Sequence, residues 1–249
     1  MLMTKPVVLV TGGADGIGRA TAALFAGRGY RVVIADLQGA EDAALALGPE
    51  HSGHRLDVTD EPAVCALASG LERIDVLVNN AGIGDSHLPT VEQDLETFRK
   101  VLDVHLAGAF LMARECGRRM IAQESGAIVN LSSIAGVVGL PRRNAYGAAK
   151  AGVAMMTRSL AAEWAGSGVR VNAVAPGYAR TALVEKLVAA GRIDLEAIKK
   201  RVPQGRLIDP EEIAEAIWFL ASPAASAITG VTLSVDAGWA AFGDFGDAS

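Results

Sequence analysis

The stretch Val7-Val-Leu-Val-Thr11-Gly12-Gly-Ala-Asp15-Gly16-Ile17-Gly18 decides the fold. Its first five residues are a short, almost wholly apolar run, the pattern of a strand covered on both faces of a parallel sheet. The run ends in a loop with glycines at 12, 16 and 18, and residues 17–28 then carry apolar side chains at helical spacing. A second apolar run, 31–36, follows. Strand, glycine-rich turn, helix and strand make the first half of a nucleotide-binding βαβ unit. The spacing is not G-x-G-x-x-G, because position 21 is Thr. The same physics is available: Gly12 permits a tight turn at the strand's end. Gly16 and Gly18, with Asp15 and Ile17 between and before them, let backbone N–H groups and a helix N-terminus approach a diphosphate.

Asp36 closes the second run, where a carboxylate can accept hydrogen bonds from both hydroxyls of an adenosine ribose. A 2′-phosphate there meets like charge, and neither Leu37 nor Asp15 offers a cation, so the reading is NAD rather than NADP. The alternative is a carboxylate that caps the next helix. A weaker third strand, 53–58, ends at Asp57 and Val58; Asp57 either receives an adenine amino group or caps the helix that starts at Asp60. A fourth strand, 74–78, leads into Asn79-Asn80-Ala81-Gly82. Amides there can tie neighbouring strand edges together, and the small pair after them leaves room for a ligand against the main chain.

The pattern predicts a long helix over 92–123, with a break near Gly108, whose apolar residues cover more than one face. A strand over 127–132 delivers Ser133. Residues 145–165 are rich in Ala, Met and Leu without proline and form a helix on which Tyr146 and Lys150 share one face. A free phenol with a pKa of about 10 is a poor acid–base group at neutral pH, and a cation held beside it favours the phenolate. A sixth strand, 169–175, ends in Pro176-Gly177-Tyr178 and is followed by Thr181. Residues 182–206 are charged and weakly periodic, as in a mobile lid. A helix over 211–221 starts behind Asp209-Pro210, a last buried strand covers 231–235, and the tail 242–247 has no pattern of its own.

Strands and helices alternate without a linker or a repeat, so residues 1–249 read as one doubly wound α/β domain. Half the residues are hydrophobic, enough for a sizeable core, and the net charge of −5 argues against nucleic acid or an anionic membrane as partner. Cys65 and Cys116 lack metal-ligand spacing and read as buried reduced thiols. No metal site is expected. The absence of a signal-type or membrane-length apolar run points to a soluble, cytoplasmic protein.

Along nearly its whole length the chain resembles the short-chain dehydrogenase/reductase family. The resemblance rests on Thr11-Gly12-x-x-x-Gly16-Ile17-Gly18, Asn79-Asn80-Ala81-Gly82, Ser133, Tyr146-x-x-x-Lys150 and Pro176-Gly177 with Thr181, in the family's order at predicted strand ends. It implies a Rossmann-type sheet of about seven parallel strands with helices on both faces. It also implies that Tyr146, Ser133 and Lys150 carry the catalytic roles: proton transfer, a hydrogen bond to the substrate oxygen, and ribose binding with depression of the tyrosine pKa. Asn80, Ala81 and Gly82 then lie on the adenosine-ribose side, and Pro176, Gly177 and Thr181 hold the carboxamide. Where the family often has an Asn that keeps a water on a proton path, this chain has His105, expected to retain that relay. Ala237 replaces a glycine, at little cost unless that position needs positive φ.

Substrate contacts are expected from Ser133, Arg143 and Tyr178. Arg143, with Arg142 beside it, either pairs with a substrate carboxylate or phosphate or lies solvated at the rim. The polar stretch Ile83-Gly-Asp-Ser-His87 suits a hydroxylated substrate. These readings give an NAD-dependent dehydrogenase of a small polyol, sugar or hydroxy acid; a 3-oxoacyl thioester reductase is the alternative, and a non-catalytic NAD-binding scaffold the remote one. Family members are commonly homotetramers, formed through the long helix, the Tyr146 helix and the last strand.

Overall fold

Side chains along the first strand sort the core into two layers. In β1 (Val7–Thr11), Val7 and Leu9 enter one apolar cluster while Val8 and Val10 enter the other, as the two-residue period of a strand demands. The computed structural model describes residues 5–189, 191, 194–244 and 248. Its strands are β1, β2 (Arg31–Asp36), β3 (Ser52–Arg55), β4 (Val76–Asn79), β5 (Gly126–Leu131), β6 (Val169–Pro176) and β7 (Thr232–Val235), all parallel, in the order β3-β2-β1-β4-β5-β6-β7. One layer is closed by α1 (Gly16–Gly27), α2 (Ala40–Leu47) and a helix at Pro210–Ala221; the other by α3 (Glu61–Gly70) and by helices at Gly108–Ala122 and Asn144–Trp164. From β1 the chain builds outward to β2 and β3, then returns to lay β4 on the opposite side. A crevice opens at the carboxyl ends of β1 and β4, where such a reversal places ligands.

Helix starts follow local chemistry. Asp15 caps α1 by accepting from the Gly16 N–H, and Asp60 caps α3 by accepting from Ala63. Pro210–Ala221 begins with a capping box in which Asp209 and Glu212 each satisfy a backbone N–H.

Several expectations change. The long helix starts at Leu95 rather than 92, and its interruption near Gly108 is a π-helical turn: α4 (Leu95–Leu102) passes through Asp103–Ala107 into α5 (Gly108–Ala122). Gly108 is required there by packing, since a Cβ would lie 2.6 Å from Val58 Cγ2. β3 stops at Arg55, short of the expected 58. β7 is an edge strand rather than a buried one, with Leu233 38% exposed. Cys116 is buried but Cys65 only partly so. Ala237 does adopt positive φ, +55°, so its Cβ is strained. After α6 (Asn144–Trp164), the expected lid contains α7 (Ala182–Ala189) and α8 (Leu195–Arg201), with residues 190, 192 and 193 outside the described part; the last helix is α9 (Pro210–Ala221). Ile198, Val202 and Leu207 form a small core of their own against Tyr178 and Trp239. Of the tail, 245–247 also lie outside the described residues.

Candidate active site

A cleft of about 750 Å³ runs across the carboxyl ends of the strands. At one end lie Gly12, Asp15, Gly16, Ile17, Asp36, Leu37, Asp57 and Val58; along its middle Asn80, Ala81, Gly82, Pro176, Gly177 and Thr181; at the other end His105, Ser133, Arg143, Tyr146, Lys150 and Tyr178. Gly18 alone of the expected residues does not line it. A Cβ on Gly18 would fall 2.0 Å from Gly12 O, so this glycine seats α1 against the loop.

The cleft's first end fits an extended dinucleotide. Gly12 and Gly16 both have positive φ, which brings the loop backbone and the first turn of α1 to the cleft wall. Asp36 is oriented by the Ala14 N–H, 3.0 Å from its Oδ2, and does not cap α2, whose N-cap is Gly39. The register of β3 sets Arg55 beside Asp36, a cation that the neighbouring sequence does not supply. Asp57 does not cap α3 either; one of its oxygens takes the Thr59 N–H and hydroxyl. The paired asparagines tie strands together. Asn80 Nδ2 donates to Thr11 O and Gly12 O, while Asn79 Nδ2 donates to Asn130 Oδ1, which sits in the buried chain ending at Thr157.

At the second end, Ser133 leaves β5 in extended conformation and caps a short 3₁₀ turn by accepting from Ala135. Lys150 lies one turn along α6 from Tyr146, its Nζ 5.6 Å from the phenol ring centroid and 2.6 Å from Leu131 O. His105 comes from the π turn and meets the Tyr146 ring edge-on at 5.1 Å. Its Nε2 is within hydrogen-bond distance of both the N–H and the C=O of Ile83. Among the described residues, His105 Nδ1 and Asn79 Oδ1 are buried without a protein partner, and both residues, with Lys150, line a small chamber of about 10 Å³. That volume is near the size of one water.

Burial sets the charges here. Tyr146 is pushed above the usual phenol range by desolvation; the hydrogen bond with Ser133 and the charge of Arg143 act against this. Lys150 is pulled down to about 7, and His105 to about 3, mainly by burial, so the imidazole is neutral at physiological pH. The sequence assigns depression of the tyrosine pKa to Lys150. In the free protein the cation acting on the phenol is Arg143, whose Cζ stands 4.7 Å over the ring.

The polar stretch after Gly82 is also placed differently from expectation. Ile83 and Gly84 line the cleft, but the Asp85 side chain is 1% exposed and turned toward α6. Lys100 on α4 and Val104 also line the cleft. Sequence reasoning missed them because the phase of the π turn determines which residues of that helix face inward. Among the described residues no group of His, Cys, Asp or Glu is arranged to hold a metal, and no helix is long and apolar enough to cross a membrane.

Residues 12–240 match the family model described as Enoyl-(Acyl carrier protein) reductase. Cis-4-hydroxycyclohexanecarboxylate dehydrogenase of Sinomonas cyclohexanicum is 51% identical, over 94% of this chain and 96% of that one. An uncharacterized short-chain type dehydrogenase/reductase of Sinorhizobium fredii is 48% identical over 94% of this chain, which spans 43% of that longer protein. A solved structure described as a short chain dehydrogenase/reductase family protein superposes with a TM-score of 0.87 at 39% identity, covering 97% of this chain and all of that one. With the sheet order, the glycine loop and the Ser133–Tyr146–Lys150 constellation in place, the chain belongs to the short-chain dehydrogenase/reductase family of oxidoreductases.

Proposed function

We propose that this protein is an NAD-preferring dehydrogenase that interconverts a small secondary alcohol, of the polyol, sugar or hydroxy-acid type, with its ketone. The observation that carries the reading is one cleft holding Asp36 at one end and Ser133, Tyr146 and Lys150 at the other. Nicotinamide, when bound, supplies the hydride acceptor or donor. Gly12, Gly16 and Ile17 would hold the diphosphate of the dinucleotide, Asp36 and Leu37 its adenosine ribose, and Asp57 and Val58 its adenine. Asn80, Ala81 and Gly82 follow, with Pro176, Gly177 and Thr181 toward the carboxamide.

Tyr146 takes the hydroxyl proton of the alcohol on its phenolate oxygen, and returns it in the reverse direction. Ser133 holds the same substrate oxygen by a hydrogen bond. Lys150 fixes ribose hydroxyls and, in its protonated form, adds positive charge beside the phenol. Neutral His105 and Asn79 face the small chamber behind Lys150, and a water there would link the amine to the imidazole. Arg143 and Tyr178 border the substrate. The relative that acts on a cyclic hydroxy acid favours a carboxylate-bearing alcohol, which a guanidinium suits. The segment with α7 and α8 serves as a lid. We also infer a cytoplasmic homo-oligomer, a tetramer by family habit; exposed Phe110 on α5 and Met155 on α6 are where such a contact would gain apolar area.

A relative from Thermotoga maritima named 3-oxoacyl-[acyl-carrier-protein] reductase, 40% identical over 96% of this chain, favours one second reading, reduction of the 3-oxo group of an acyl-carrier thioester. Asp36 weighs against it insofar as such reduction draws on NADP. The test is initial-rate NADH or NADPH formation with galactitol, threitol and cis-4-hydroxycyclohexanecarboxylate, and NAD(P)H consumption with an acetoacetyl thioester. Expected is turnover of an alcohol with NAD over NADP, lost in Tyr146→Phe. Turnover confined to the thioester with NADPH overturns the proposal.

A further inference from the structure

The first turn of α6 is where the catalytic tyrosine sits, and its own sequence does not cap it. The N-cap residue is Arg143, which makes no side-chain cap bond. The first intrahelical bond runs from Gly147 N to Arg143 O, which leaves the Tyr146 N–H without a helical acceptor. A residue 61 positions earlier supplies one: Asp85 Oδ2 accepts from Tyr146 N at 3.2 Å. The same oxygen stands 3.6 Å from Arg143 Nε, a buried atom with no hydrogen bond of its own. The guanidinium lies over the Tyr146 ring and reaches His87 Nε2 at 3.2 Å. Carboxylate, cation and phenol therefore form a closed set: Asp85 holds the tyrosine's backbone and the arginine, and the arginine covers the tyrosine's ring.

We propose that Asp85 is a positioning residue for Tyr146, capping the catalytic helix from the loop after β4 and balancing the charge of Arg143 on the phenol. The inference deepens the proposed reaction and rests on Tyr146 being its proton-transfer group. A carboxylate at the N3 position's N–H does what an N-cap side chain does elsewhere, with a charge added. Among the described residues, the partners of this buried aspartate are that N–H and the guanidinium. The charged and titratable groups facing the phenol are Asp85 from the loop, His105 from the π turn, and Arg143 and Lys150 from α6 itself; Tyr178 faces Arg143 from beyond β6. With His105 neutral, Asp85 is the one anion among those named. It raises the phenol's pKa, and Arg143 lowers it.

The two functions separate by variant. Asp85→Asn keeps an oxygen for the Tyr146 N–H and removes the charge; Asp85→Ala removes both. The readout is an ultraviolet phenolate titration of the cofactor-free protein, with Tyr146→Phe identifying the Tyr146 component against Tyr30 and Tyr178. Expected is a fall of the Tyr146 midpoint by on the order of one pH unit in Asp85→Asn, from one charge removed several ångströms away. Arg143→Gln should move it up. Thermal unfolding should be lowered in Asp85→Ala and nearly unchanged in Asp85→Asn. A Tyr146 midpoint that stays put in Asp85→Asn overturns the charge-balancing role. Equal unfolding temperatures for Asp85→Ala and wild type overturn the capping role. Neither measurement depends on turnover, so absence of dehydrogenase activity would refute the proposed reaction while leaving this coupling to be judged by itself.

Discussion

Lys150 is 4% exposed, and burial lowers its ammonium pKa from 10.5 to about 7. Below pH 7 the amine carries its proton in folded and unfolded chains alike, and the folded state bears the whole desolvation penalty, about 5 kcal/mol. Between about pH 7 and 10.5 the unfolded chain keeps the proton and the folded chain does not. Stability therefore rises with pH over that window. Integrating the two titrations from pH 7 to pH 9 gives a gain of about 2 kcal/mol. Other groups act in the same range with the opposite sign: the Cys116 thiol is held up to about 12, and the Tyr30 and Tyr146 phenols are raised. Lys150→Met removes the amine and leaves these in place, so subtracting the variant isolates the lysine. Urea unfolding of both proteins at pH 7, 8 and 9, without cofactor and at one protein concentration, should show the variant's relative advantage shrinking by about 2 kcal/mol across the series. Parallel pH profiles for the two proteins would refute the claim that Lys150 is held neutral by burial.

Ala237→Gly should raise stability by about 0.5–1 kcal/mol in urea unfolding, because relief of a left-handed Cβ exceeds glycine's added chain entropy. Two glycines of α1 should respond oppositely to alanine. Gly18→Ala drives a methyl into Gly12 O and Asn80 Nδ2, and should cost at least about 3 kcal/mol and abolish NADH binding followed by fluorescence. Gly27→Ala meets nothing within 4 Å and should be neutral or stabilising by up to about 1 kcal/mol. Asn130→Ala breaks the buried Asn79–Asn130–Thr157 chain and should cost about 2 kcal/mol, measured in the same assay.

The fold was legible where local pattern and burial agree. Val7–Val10 is apolar at every buried position, Gly12 and Gly16 stand where φ turns positive, and Asp209-Pro210 opens a helix as its chemistry requires. Ser133, Tyr146 and Lys150, the residues proposed for catalysis, stand out in the sequence for a related reason: each sits at a strand end or one helical turn from another, so spacing along the chain carries over to spacing in space. What failed to show depends on contacts distant in sequence. Asp85 reads as part of a polar stretch suited to a hydroxylated substrate until α6 packs on it from 61 positions away. Arg55 is set beside Asp36 only by strand register. The positive φ of Ala237 is unmarked by its residue type, and the half-exposure of β7 follows from its place at the sheet's edge, since its own sequence resembles that of a covered strand.

The π turn at Asp103–Ala107 has a consequence for how this enzyme can vary. Relative to an unbroken α-helix it holds one residue too many, which offsets the faces of α4 and α5 by about 100°. α5 can then keep Met112, Cys116 and Met120 in the core while Lys100, Val104 and His105 point into the cleft. Deleting one residue from the turn would restore a regular helix and force a choice between those two sets. The excess residue works as a phase adjuster: it lets the cleft-facing half of the rod change without disturbing the half that holds the core together.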